Sequence, residues 1–249
     1  MTGIEAYIAI VDGLSVVCCI VGVAVMLATP AGRRYAMAGA VPALEAPSWL
    51  AIPAVGLAFS GFPYEATAIM AAIACVHLGG PGISALWGLR RMGAAVALAS
   101  GAIVWLGANP IKSAADALWA GMFQAMGWEM PIQPCIAEFV ETPGSGIRLI
   151  LAGWLCLEVP IVEEIAMTGL LYPWLKGRLN RAGAAFFTAL AFALMHGYPI
   201  GIPLFVLHSL LATWLFEITG SLLPAMGMHV AWNSVVIGGL WLANPCPAG

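Results

Sequence analysis

The chain has 249 residues, 62% of them hydrophobic and 8% charged, with a net charge of −3 and a mean hydropathy of +0.96. A soluble domain carries roughly 25% charged residues, so this composition excludes a soluble globular fold and makes lipid the solvent. The nine Lys and Arg are scattered. No basic stripe points to nucleic acid as a partner. The six cysteines form no CxxC pair, which leaves a zinc ribbon or a redox motif unsupported.

In chain order, the apolar runs predict an all-α, polytopic transmembrane bundle of about eight helices, each span needing roughly 20 residues. Span one covers about Ile4–Ala28 and reads as a retained helix, because Glu5 and Asp12 stand where a signal peptide would carry Lys or Arg. The run Pro47–Trp87 is broken near Gly61-Phe62-Pro63 and splits into spans at about Ser48–Phe62 and Ala66–Leu89. Span four is about Gly93–Ala108. Residues Asn109–Gly146 are the most polar stretch, with Lys112, Asp116, Glu129, Glu138 and Glu141. They read as a long loop with an interfacial helix around Ala114–Gly127, whose Trp119 and Phe123, with Trp128 just beyond, suit the headgroup level. Spans five to eight are about Ile147–Leu175, Ala182–Tyr198, Ile202–Ile218 and Leu222–Ala243. The whole, 1–249, reads as one membrane domain, with N-terminal helices and a polar loop over 1–146 and the chemistry-bearing helices over 147–243.

Positive charge sets orientation. Arg33, Arg34, Arg90, Arg91, Lys176, Arg178 and Arg181 fall on one side of this plan, which is therefore cytoplasmic. Lys112 and Arg148 fall on the other. The 29 glycines suit close helix packing in lipid.

Ionisable groups inside a bilayer are costly and by default suggest function. Glu158, Glu163 and Glu164 lie in span five, His196 in span six, His208 and Glu217 in span seven, and His229 and Asn233 in span eight. At a rise of about 1.5 Å per residue, Glu163 lies about 15–18 Å from the cytoplasmic end of its span. His196 lies about 20 Å along its own span and His229 about 10–12 Å along its own. All three depths fall in the middle of a roughly 30 Å core, so three helices can converge on one buried pocket. The i,i+4 pairs Phe192/His196 and His229/Asn233 each share a helix face.

Two chemistries fit such a pocket. A carboxylate with one histidine can activate water, while a second histidine and an amide donate to an oxyanion. Alternatively Glu163, His196 and His229 could hold zinc and leave a position open for water. There is no HExxH to favour the metal, and spacing alone leaves both open. His208 and Glu158 read as interhelical packing or hydrogen-bonding residues.

Glu163-Glu164 followed by Thr168-Gly169, then Phe192-x-x-x-His196, then His229-x-x-x-Asn233, resembles the three motifs of the CAAX protease and bacteriocin-processing family of intramembrane glutamic peptidases, which includes the Rce1-like enzymes. The segment Phe216 to Ala225 is similar to the usual lead into the last motif. The resemblance covers about Leu157–Val236. It implies that Glu163 activates water with help from His196, that His229 and Asn233 form the oxyanion site, that Glu164 orients this group, and that no metal cofactor is needed. It also implies a membrane-anchored protein or peptide as substrate: a lipidated C-terminal tail, a leader peptide or a sorting tail. The Gly/Ala/Trp-rich polytopic plan points to a bacterial inner membrane.

There is one departure from the pattern. The family usually carries Arg five residues after its first Glu, and here Thr168 stands there, one helical turn from Glu164. Thr cannot neutralise a carboxylate, so Glu164 must be protonated or paired elsewhere. The departure supports a competing reading as a non-catalytic immunity or scaffold protein of the same fold. A proton- or ion-coupled transporter is a further class, although the halves show no internal symmetry.

Overall fold

The computed structural model describes residues 92–128 and 132–244, together with Ile10, Ser84, Trp87 and Gly88. The first three expected spans, and the break assigned at Gly61-Phe62-Pro63, lie outside the described residues. Among the described residues all regular structure is helical: α1 (Ala94–Ala125), α2 (Pro134–Glu141), α3 (residues 145–176), α4 (Arg181–Met195), α5 (Ile202–Thr219) and α6 (Leu223–Ala243). Among the described residues, three segments are long and apolar enough to cross a membrane: α1, Pro199–Thr219 and α6. Helices α3 to α6 follow the four spans expected from composition.

The stretch after Ala108 differs from expectation. It does not leave the helix for a loop with a separate interfacial segment. Helix α1 instead runs unbroken through Pro110 to Ala125. The physical reason is how the polar residues are disposed. Lys112 does not seek water but lies buried against aromatic rings, so the dip in hydropathy marks a buried polar position in a continuing helix and not a connection. One proline costs the helix one donor without forcing it to end.

Close approach holds α1 to α6. A Cβ added at Gly101 would run into the backbone of Pro224 and Met228, and one added at Gly227 into the backbone of Leu98. Small residues in both helices thus let the two backbones touch, the packing device that replaces hydrophobic driving force in lipid.

Helix α3 is a rod with two widened turns. Its α-helical pieces Ser145–Gly153, Val159–Ala166 and Tyr172–Lys176 are joined by π turns at Trp154–Glu158 and Met167–Leu171. Each π turn is followed within two residues by a proline, Pro160 and Pro173. A proline ring clashes with the carbonyl four residues back, and a wider turn relieves that clash. The wide turns also release carbonyls for tertiary use. Val159 N–H reaches back to Trp154 O, so the Leu155 carbonyl is left to accept from Asn233 Nδ2 of α6 at 2.8 Å. Pro173 has no N–H to give the Gly169 carbonyl, which accepts from Trp87 Nε1 at 3.1 Å.

Chain reversals complete the frame. Asn180 Oδ1 accepts from Gly183 N–H at 2.7 Å and starts α4. Gly220, at φ +63°, turns α5 into α6; such a left-handed residue is readily taken only by glycine. Glu217 of α5 accepts from Tyr172 Oη at 2.8 Å and pairs with Lys176 Nζ at 2.5 Å, tying α5 to the end of α3. At the opposite end Arg148 donates to the carbonyls of Asn244, Val140 and Thr142, satisfying acceptors that a helix C-terminus leaves bare.

Candidate active site

The middle of α3 lies between the two π turns and carries Glu163 and Glu164. Adjacent residues on a helix point about 100° apart, and the two carboxylates have different surroundings. Glu164 is fully buried, whereas the Glu163 side chain keeps 13% of its exposure. Burying a carboxylate without partners is prohibitive. Glu164 meets the requirement with one oxygen: its Oε1 lies 3.2 Å from His208 Nε2 of α5 and 3.0 Å from His229 Nδ1 of α6.

His208 therefore answers the question that Thr168 raises. Thr168 is buried beside Glu164 in the chain, where the resembling family usually has Arg, and the partner for Glu164 comes from another helix. The expectation of an interhelical hydrogen bond at His208 holds, but sequence gave no sign that its partner would be Glu164. The only available signal was the rarity of an ionisable group inside a membrane span.

His229 bridges the two carboxylates. Its Nδ1 faces Glu164, while its Nε2 lies 3.7 Å from Glu163 Oε2. One turn further along α6, Asn233 is half-buried and bound to the Leu155 carbonyl, so the α3 π turn fixes its amide. His196 closes α4, where Gly197 at φ +57° ends the helix. Its Nδ1 lies 2.7 Å from Phe192 O, and its ring stacks on Phe205 at 3.9 Å.

Aromatic rings pack between these groups. The Phe192 ring faces His196, His208 and His229 at 4.8, 5.5 and 5.8 Å. Trp232 packs on His208 at 4.5 Å and on Phe205 at 6.1 Å. Around charged groups such walls strengthen every electrostatic interaction by excluding water.

A carboxylate with two histidines is also the donor set of many zinc sites. Among the described residues, the three whose ligand atoms lie within 4.8 Å of one another are Glu164, His208 and His229. This is not the set Glu163, His196 and His229 that the motifs suggested as a metal alternative. His196 is instead turned to its own helix carbonyl and to Phe205. In the described geometry, Glu164 Oε1 is already shared by both rings.

A helical bundle with apolar, membrane-length helices is the architecture of an integral membrane protein, and this one carries a buried carboxylate–imidazole group. Residues 145–235, from the start of α3 into α6, match the Rce1-like family model, described as type II CAAX prenyl endopeptidase Rce1-like. That is the family the three motifs resemble, and the match supports a protease-type function. No curated protein and no solved structure matches the chain.

Proposed function

We propose that the chain is an intramembrane endopeptidase that hydrolyses a peptide bond of a membrane-anchored protein or peptide, with water activated by Glu163 and no metal. The observation that carries this reading is the placement of Glu163. It is the more exposed of two adjacent carboxylates, and its oxygen lies 3.7 Å from a histidine that the other carboxylate grips from behind.

The roles follow from the geometry. Water held between Glu163 and His196 gives a proton to Glu163 and attacks the scissile carbonyl carbon. With both ring nitrogens of His229 protonated, Nδ1–H donates to Glu164 and Nε2–H is left for the oxyanion. Asn233 spends one amide hydrogen on Leu155 O and keeps the other for the same oxygen. Collapse breaks the C–N bond, and the proton on Glu163 goes to the leaving amine. Each donor is held before the substrate arrives, which is what makes such stabilisation effective.

The apolar wall implies a substrate that lies in or against the membrane, and we place the protein in a bacterial inner membrane. The non-catalytic reading loses its main support, since Glu164 has partners without the missing Arg. The test is cleavage of membrane-anchored proteins from the chain's own genomic neighbourhood by purified protein, with Glu163→Gln as control. A defined product from the wild type, lost in the variant, is expected. Equal cleavage by both would refute the assignment. Elemental analysis of active protein should find well below one equivalent of zinc. Stoichiometric zinc with chelator-sensitive activity would reverse the mechanism.

A further inference from the structure

Lys112 of α1 belongs to none of the three motifs, and the mechanism above does not use it. It is 2% exposed, and its ammonium has no hydrogen-bond partner among the described residues. It lies 3.7 Å above the Trp232 ring and 5.5 Å from that of Trp105. A cation–π contact recovers only part of the hydration an ammonium loses on burial. Asp116, one turn further along α1, does not hold it. Trp105 Nε1, a donor in the same neighbourhood, is also without a partner among the described residues.

The position links Lys112 to the site, because Trp232 lies between it and His208. The other described cations serve elsewhere. Arg148 holds helix-end carbonyls, Lys176 pairs with Glu217, and Arg178 packs on Trp174. Arg181 begins α4, at the end away from His196.

A buried cation beside a second donor that also lacks an acceptor is short of an anion. The site itself is rich in carboxylates, so an anionic substrate group entering beside Glu163 and Glu164 would be repelled unless a cation received it. We propose that Lys112 is a substrate-recognition residue that binds a carboxylate of the peptide. The proposal rests on the peptidase reading, because a peptide is what brings a carboxylate to this place. That carboxylate is either the chain terminus or an acidic side chain.

The test measures binding, so that it can fail independently of the chemistry. The full chain carrying Glu163→Gln is placed in lipid nanodiscs and titrated by tryptophan fluorescence. The probes are an N-acylated hydrophobic tripeptide with a free C-terminal carboxylate, its C-terminal amide, and the amide with Asp as last residue. The acid should bind about tenfold or more tightly than the plain amide, which is the weight of one charge-assisted contact. Lys112→Met should abolish that difference, and Lys112→Arg should retain it. The Asp-amide separates the sources: binding like the acid identifies any carboxylate, and binding like the amide identifies the terminus alone. The proposal is overturned if acid and amide bind alike, as they would if a carboxylate of the chain itself held Lys112. It is equally overturned if no probe binds, or if discrimination survives Lys112→Met. Should Lys112→Met fail to fold, acid–amide discrimination in the Lys112 and Arg forms still decides. Intact discrimination in the binding assay, with cleavage by the wild type no greater than by Glu163→Gln, would instead refute the peptidase chemistry and spare the subsite.

Discussion

The site divides into two rows that use the same residue types differently. Glu163, His196 and Asn233 are half-buried, whereas Glu164, His208 and His229 are buried and joined through Glu164 Oε1. The outer row can meet a substrate. The inner row is joined through the single Oε1 of Glu164, and its effect passes outward through His229. Two glutamates adjacent in sequence therefore have separate tasks. Glu163 is free to react because Glu164 is not.

The comparison can be broken most decisively at Glu163. Glu163→Gln should lower cleavage by about 10²–10⁴-fold, the usual worth of a general base, with an unchanged thermal midpoint. A midpoint falling along with activity would mean that the outer row is structural after all. Asn233→Ala should cost about 10²–10³-fold in turnover if the amide serves an oxyanion. It also removes the tie to Leu155, so the comparison is made at matched folded fraction.

For the inner row the order of effects reverses. Glu164→Ala leaves two buried imidazoles without their acceptor, and breaking such a buried pair costs roughly 3–5 kcal/mol. A thermal scan in detergent should show the loss, and turnover falls with it. An unshifted midpoint would show that the clamp contributes nothing. His208→Ala should give a smaller shift in the same assay, since His229 still holds Glu164.

The smallest effect sharpens the account of the family departure. Thr168 is buried, so Thr168→Arg alone overpacks its surroundings, typically at about 1–3 kcal/mol. In a His208→Ala background the same Arg has room and finds a carboxylate that has lost one of its two partners. The double variant should then recover part of the activity that His208→Ala loses. No recovery would mean that His208 does more than pair with Glu164.

Much of the bundle was legible in the chain. Four spans from α3 to α6 follow apolar runs whose ends carry Asn180, Gly197 and Gly220, because helix termination is local chemistry. The motif residues were legible too, since a carboxylate or imidazole within a membrane span stands out against its neighbours. Lys112 misled for the same reason: in a polar stretch interrupted by Pro110, a lysine reads as solvated. Nothing along the chain says that two tryptophans, one of them on another helix, will cover it.

By itself, then, the sequence determined that the chain lives in lipid, where its later helices begin and end, and which ionisable residues those helices carry. These follow from composition and from interactions a few residues long. Only the tertiary structure decided that Glu164 faces His208, that a π turn releases the Leu155 carbonyl for Asn233, and that Lys112 stands beside Trp232. Those pairings join residues between roughly forty and one hundred and twenty positions apart. They are chosen by the packing of α1, α3, α5 and α6, where a buried polar group must find its partner on whichever helix is near.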